Sequence, residues 1–293
     1  MRRRRYSDLL RVLGWELGLL MVAGILVEAL YVEPSRIEVR RSLEYVPALR
    51  ASTPDLLLVH LSDLHLERLG KRERRAIEIV NAAQADIIVV SGDLIGARGS
   101  ATTLQGFLAA LRSRYGNFAV WGRSDYQNGA AECWEPEAVR RGGFTLLRNG
   151  SRSVGTPAGR IEITGVDDPA SGRDNLRQAM ARVPRSAFCL LVSHDPEVVE
   201  TLGNWDIDMV FTGQEPKGVL RLPPVGALFG FPGMHDHLEG WFDVAGGVRL
   251  HVSPGFGWSG LPIPGLCRPR IDLITLRGGS PPTRRAHRVI ERS

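Results

Sequence analysis

From Leu56 onward the chain alternates short apolar runs with amphipathic stretches. Leu56–Leu61, Ile87–Val90, Phe118–Trp121, Ile161–Thr164, Phe188–Val192 and Met209–Phe211 read as buried strands. Apolar residues recur at helical spacing near 71–84, 101–114, 132–141 and 173–182. This alternation predicts an α/β layered domain. Gly and Pro crowd residues 213–265. Strand and turn signals dominate there, and they predict a second, more antiparallel sheet. No repeat or boundary interrupts residues 55–277, which read as one domain. Residues 278–293 are polar and Arg-rich and read as a disordered tail.

The N-terminal pattern is of another kind. Arg2 to Arg5 are consecutive and Arg11 follows; Val12 to Val32 is then mostly apolar, broken by Glu16 and Glu28. As a helix this segment would rise about 31 Å, enough to cross a hydrocarbon core. Its uninterrupted part, Leu17 to Val27, also suits a signal-peptide core, with Val27-Glu28-Ala29 as a passable cleavage site. An uncleaved anchor is the expectation. Residues 1–11 are then a basic cytoplasmic flank, 12–32 a single transmembrane helix in the cell membrane and 33–54 a polar connector. The main domain lies outside the membrane.

Composition narrows the classes further. With 293 residues and 43% hydrophobic content the chain can bury a sizeable core. The net charge is +5, but Arg2 to Arg5 supply four of those charges, so the body is close to neutral. It carries no basic stripe with interleaved aromatics, and nucleic acid is not an expected partner. Cys133, Cys189 and Cys267 have no metal-ligand spacing.

The chemistry-bearing residues sit where strands are predicted to end, which is where α/β folds build sites. Asp63 and His65 follow the first strand in Ser62-Asp63-Leu64-His65, and alternate residues there are expected to point the same way. Asp93 follows the second strand in Ser91-Gly92-Asp93-Leu94, and His194 a later one in Val192-Ser193-His194-Asp195. Each alone is an ordinary turn residue. Taken together, in this order, they form a set of carboxylates and imidazoles suited to a metal ion.

These segments resemble the calcineurin-like metallophosphoesterases, most closely the bacterial branch with an N-terminal membrane anchor. The resemblance extends through Leu147-Arg148-Asn149, Gly165-Val166-Asp167-Asp168 and Val252 to Gly257. It implies a four-layer α/β/β/α sandwich with two metal ions, often Mn, Fe or Zn, that clamp a phosphate and activate a hydroxide. It also implies that Asp63, His65, Asp93 and His194 are metal ligands.

The chain departs from the family pattern inside the site. Gly122-Arg123-Ser124-Asp125 stands where the family has Gly-Asn-His-Asp/Glu, so Arg123 replaces a ligating Asn and Ser124 the His that assists the leaving group. Gly213-Gln214-Glu215-Pro216-Lys217-Gly218 stands for Gly-His-Thr-His-Gly-Gly, so Gln214 and Pro216 replace two ligating His. The expectation is at most one ion and impaired hydrolysis. Arg123 and Lys217 would instead neutralise the carboxylates and receive a phosphate-containing small molecule, a lipid head group or another anion. Simple decay of an unused site fits the same changes. A third reading is a weak one-metal phosphoesterase on Asp63, His65 and Asp93, with Glu215 as a further oxygen donor. Replacement ligands from His235 and His237 are disfavoured against a solvated loop. His60 is expected inside the first strand as a core or supporting residue, and His251 near a strand end.

Overall fold

The computed structural model describes residues 14–16, 18–21, 24, 36–185, 187–213, 221–222, 226–227, 239–257 and 268–280. In chain order the first half runs β1 (Glu38–Val46), β2 (Leu56–Leu61), α1 (Lys71–Ala83), β3 (Ile87–Ser91), α2 (Ala101–Ala110) and β4 (Gly116–Val120). Then come α3 (Arg123–Gln127), α4 (Ala130–Cys133), α5 (Glu135–Arg141), β5 (Thr145–Leu146), β6 (Gly150–Thr156) and β7 (Gly159–Gly165). The second half holds α6 (Leu176–Met180), β8 (Phe188–Ser193), β9 (Met209–Thr212), the short pair β10 (Arg221–Leu222) and β11 (Gly226–Ala227), β12 (Gly240–Asp243), β13 (Arg249–Val252) and β14 (Arg270–Gly278).

Two six-stranded sheets result, ordered β1-β14-β2-β3-β4-β5 and β12-β13-β9-β8-β7-β6. Strand side chains alternate between faces, and the alternation divides the apolar residues cleanly. Leu56 and Leu58 of β2, Ile87 and Val89 of β3, and Phe188, Leu190 and Val192 of β8 enter one core between the sheets. The opposite faces, with Val59, Leu61, Ile88 and Val90, pack on α1, α2, α4 and α5. Cys189, Leu191 and Val210 pack on α6 on the far side of the second sheet. Helices therefore cover the outer faces of a two-sheet α/β sandwich.

The expected strands all form, within a residue or two. The helices are shorter than their patterns imply: the stretch 101–114 ends at Ala110, 132–141 breaks at Trp134, and 173–182 is helical only over Leu176–Met180. One expectation needs correction. The connector 33–54 contains β1, which pairs in parallel with β14 from Glu38 to Val46. An edge strand needs main-chain pairing more than apolar side chains, so its polar sequence Glu-Val-Arg-Arg-Ser-Leu-Glu-Tyr-Val gave no strand signal. The second sheet is the more antiparallel of the two, as expected: two of its five strand pairs run antiparallel, against β14–β2 alone in the first. Those two are the edge pairs β12–β13 and β6–β7, and β13–β9, β9–β8 and β8–β7 are parallel. Among the described residues no helix is long and apolar enough to cross a membrane. The expected span 12–32 falls largely outside them, as does the tail beyond residue 280.

Candidate metal centre

The C-terminal ends of β2, β3, β4, β8 and β9 lie together, and the loops that leave them build the site. After β2 the chain does not continue as a strand. Asp63 and His65 adopt left-handed backbone, with φ of 49° and 40°, and Asp93 after β3 does the same at 53°. Non-glycine residues in this region cost on the order of 1–3 kcal/mol each and concentrate at functional sites. Side-chain convergence thus comes from left-handed turns rather than from strand alternation. The two loops are zipped together by their main chains: Asp63 N donates to Gly92 O at 3.1 Å, His65 N to Asp93 O at 2.9 Å and Leu66 N to Leu94 O at 3.1 Å.

Asp93 is the centre of the arrangement. His65 Nε2 lies 3.6 Å from its Oδ2, and His194 Nε2 lies 3.5 Å from its Oδ1. The two imidazoles therefore flank opposite oxygens of one carboxylate. Donor atoms of Asp63, Asp93 and His194 all fall within 4.8 Å of one another, and all three side chains are buried. Backbone crowds in behind them. A Cβ on Gly122 would stand 2.2 Å from Asp93 Oδ1, and one on Gly92 2.7 Å from His194 Nδ1. Two buried carboxylates and two imidazoles in a tight cradle suit a divalent ion of the Mn, Fe or Zn type.

The charges follow the geometry. Burial opposes ionisation of Asp93, but the charges of His194 and His65 and two hydrogen bonds from Ser124 outweigh it and hold the carboxyl below its ordinary range. Burial pulls His194 down, yet Asp93 and Asp63 outweigh it and push its imidazole up to about 10 in the metal-free site. Burial dominates at His65 and lowers it. An ion that takes Nε2 of His194 must displace that proton. We expect about one proton released per bound ion from this residue, and affinity weakening as pH falls. Calorimetry of Mn²⁺ binding in buffers of different ionisation enthalpy checks the count; binding with no dependence on buffer would refute it.

Ser124 joins the centre directly. Its N–H donates to Asp93 Oδ1 at 2.9 Å and its hydroxyl to Oδ2 at 2.6 Å. Arg123, half-buried, is the first residue of α3. Gln214, Glu215, Pro216 and Lys217 lie outside the described residues, as do His235 and His237. Gly213, just before them, sits against the site: a Cβ there would meet Asp63 Oδ2 at 2.6 Å. His251 does not face the cluster, and its Nδ1 lies 3.0 Å from Nδ1 of His60 between the sheets.

Two further acids belong to this region. Asp125 is fully buried and accepts three main-chain hydrogen bonds, from Leu94 N at 2.8 Å and Ile95 N at 3.2 Å on Oδ1 and from Gly122 N at 2.8 Å on Oδ2. It clasps the Asp93 loop to the start of α3. Burial and then the Asp93 charge push its carboxyl up to about 7. Glu135, at the first position of α5, is buried as well; burial first and the Asp125 charge next push it up to about 11, so it is a neutral acid. The spacing of Asp125 three residues after Gly122 is a helix-cap signal, but nothing in the sequence marks Glu135.

No protein-family model matches this chain. Individual relatives do. An uncharacterized metallophosphoesterase of Bacillus subtilis, YkuE, is 26% identical over 266 residues, covering 89% of this chain and 92% of its own length. A second one from that organism, YkoQ, is 25% identical over 231 residues, covering 74% and 82%. These relatives support the metallophosphoesterase family for this chain. The Escherichia coli phosphodiesterase YaeI is 25% identical over 254 residues, covering 84% of this chain and 90% of its own.

Proposed function

We propose that this metallophosphoesterase homologue binds a phosphate-containing or other anionic ligand at a centre holding one divalent ion, and that its hydrolytic activity is impaired. The observation that carries the reading is the Ser124 hydroxyl donating to Asp93 Oδ2 at 2.6 Å. A serine so engaged cannot protonate a leaving group as an imidazole does. The guanidinium charge of Arg123 beside it disfavours a second metal ion there. Its guanidinium is suited to paired hydrogen bonds with phosphate oxygens. Asp63, Asp93 and His194, whose donor atoms lie within 4.8 Å of one another, would hold the ion, with His65 on the other oxygen of Asp93. When bound, such an ion polarises a phosphoryl oxygen and lowers the pKa of a coordinated water.

Three ligands and a water also form an accepted catalytic arrangement. A slow, one-metal phosphoesterase is therefore the second reading. We further propose that the domain is held outside the cell membrane by residues 12–32. That location favours a lipid head group or an exported phosphate ester as the ligand.

The full chain in detergent, dialysed against Mn²⁺, is expected to retain one ion by elemental analysis. It should bind inorganic phosphate by ³¹P line broadening that depends on Arg123. Slow Mn²⁺-dependent turnover of bis(p-nitrophenyl) phosphate would favour the second reading. Two ions with turnover in the ordinary enzyme range, about 1 s⁻¹ or more, would overturn both. So would a folded chain that binds neither Mn²⁺ nor phosphate.

A further inference from the structure

A run of buried polar groups lies between the sheets, behind the candidate metal centre. The alternation that fills this layer with Leu58, Val89 and Phe211 also sends His60 of β2, Ser91 of β3, His251 of β13 and Asp272 of β14 into it. The groups form a chain. His60 Nε2 lies 2.8 Å from Ser91 Oγ, and His60 Nδ1 lies 3.0 Å from His251 Nδ1. His251 Nε2 lies 3.8 Å from Asp272 Oδ1, and Ser253 Oγ donates to Asp272 Oδ2 at 3.0 Å.

Donor atoms of His60, His251 and Asp272 also fall within 4.8 Å of one another, which raises the question of a second cation. The surroundings argue against one. Burial first, then the neighbouring His60 and then the positive charges of Arg40, Arg270 and Arg249 hold His251 well below its ordinary range and keep it neutral. Burial likewise keeps His60 neutral. The two imidazoles meet through Nδ1, so only one of these nitrogens carries a proton. Burial pushes the Asp272 carboxyl up to about 7; in its ionised form the consistent order of donation is Ser91 hydroxyl to His60, His60 to His251, and His251 toward Asp272. None of the four groups reaches solvent, so the serine is not a nucleophile.

The chain terminates at a residue that matters to the metal centre. Ser91 is the last residue of β3, immediately before the left-handed Gly92 and Asp93. Its carbonyl oxygen lies 2.9 Å from His194 Nδ1. A carbonyl only accepts, so Nδ1 carries a proton and Nε2 is left to face Asp93. The same carbonyl accepts from Ser62 Oγ at 3.2 Å, beside Asp63. One residue thus fixes the exit of the Asp93 loop and orients His194, and His60 holds that residue from behind.

We infer that His60 is a positioning residue for the metal centre, acting through Ser91 on His194, and that His251 and Asp272 orient it for that task. The inference rests on the proposed metal-holding reading of the site. Groups that orient metal ligands are typically worth 10–100-fold in metal affinity.

Two substitutions separate the two contacts of His60. Asn places its amide near the position of Nδ1 and keeps the link to His251 alone. Gln reaches the position of Nε2 and keeps the link to Ser91. His60→Asn is expected to weaken Mn²⁺ binding by roughly 10–100-fold. It should also weaken the hydrogen-bonded Nδ1–H resonance of His194 in the metal-free protein. His60→Gln should restore most of both. Ser91→Ala removes only a hydroxyl, tests the same link with little risk to the fold, and is expected to act like His60→Asn. Equal behaviour of the Asn and Gln variants would overturn the inference, as would a Ser91→Ala protein with wild-type affinity and an unchanged His194 resonance. If the wild-type chain retains no Mn²⁺, the metal reading itself fails, and the His194 resonance in the metal-free variants still decides whether His60 positions that ring.

Discussion

Replacing Arg123 with Asn, Ser124 with His, Gln214 with His and Pro216 with His in one chain is expected to raise the Mn²⁺ content from one ion to two. Phosphodiester hydrolysis should rise on the order of 10²–10⁴-fold. Both effects trace to the Asp93 carboxylate. With Ser124 as it stands, Asp93 Oδ2 accepts a serine hydroxyl and Oδ1 a main-chain N–H. The imidazole of Ser124→His withdraws the first of these and can protonate a leaving group. Arg123→Asn removes a fixed positive charge and supplies an oxygen ligand. The changes at 214 and 216 follow Gly213, which lies against Asp63. Elemental analysis and turnover of bis(p-nitrophenyl) phosphate read the outcome. A folded quadruple variant that gains neither an ion nor a rate would mean that these four positions do not correspond to the family's three ligands and its leaving-group His. The single change Arg123→Asn should weaken phosphate binding even if the quadruple variant gains activity, because the two properties draw on opposite features of that side chain.

Asp125→Ala is expected to cost at least about 3 kcal/mol of stability and to abolish ion binding. The carboxylate satisfies three buried main-chain N–H groups, those of Leu94, Ile95 and Gly122. Removing it leaves all three without an acceptor in a site closed to water, and each such loss is worth about 1–3 kcal/mol. Asp125→Asn keeps one oxygen for Leu94 and Ile95 but turns an amide toward Gly122, so it should cost less, about 1–3 kcal/mol. Urea unfolding of the three proteins measures the difference. An alanine variant within about 1 kcal/mol of wild type would show that the loops hold their shape without the clasp.

The sequence carried the site residues better than it carried their geometry. Asp63, His65, Asp93 and His194 were legible because each follows an apolar run, and strand exits collect functional groups in this class of fold. Their left-handed backbone was not legible, since Asp and His at such positions look like ordinary turn residues. β1 was missed because an edge strand paired through its main chain can be as polar as a linker. The contact between His60 and His251 spans 191 residues of sequence, and no local pattern encodes a pairing at that range. Asp125 stood in a recognised motif, but its three main-chain partners come from two loops that only the folded chain brings together.

The place of β14 in the first sheet has a consequence for how the protein is made. β14 inserts between β1 and β2, so the two earliest strands flank the last one. Arg270 reaches back 232 residues to Glu38. During synthesis β1 leaves the ribosome long before β14, the strand it pairs with. Contacts of such long range slow folding, and the half-finished sheet presents an open slot on β2 throughout that interval. A chain cut short before Arg270 would keep every one of the four metal-site residues and still lack the strand that closes the sheet around them.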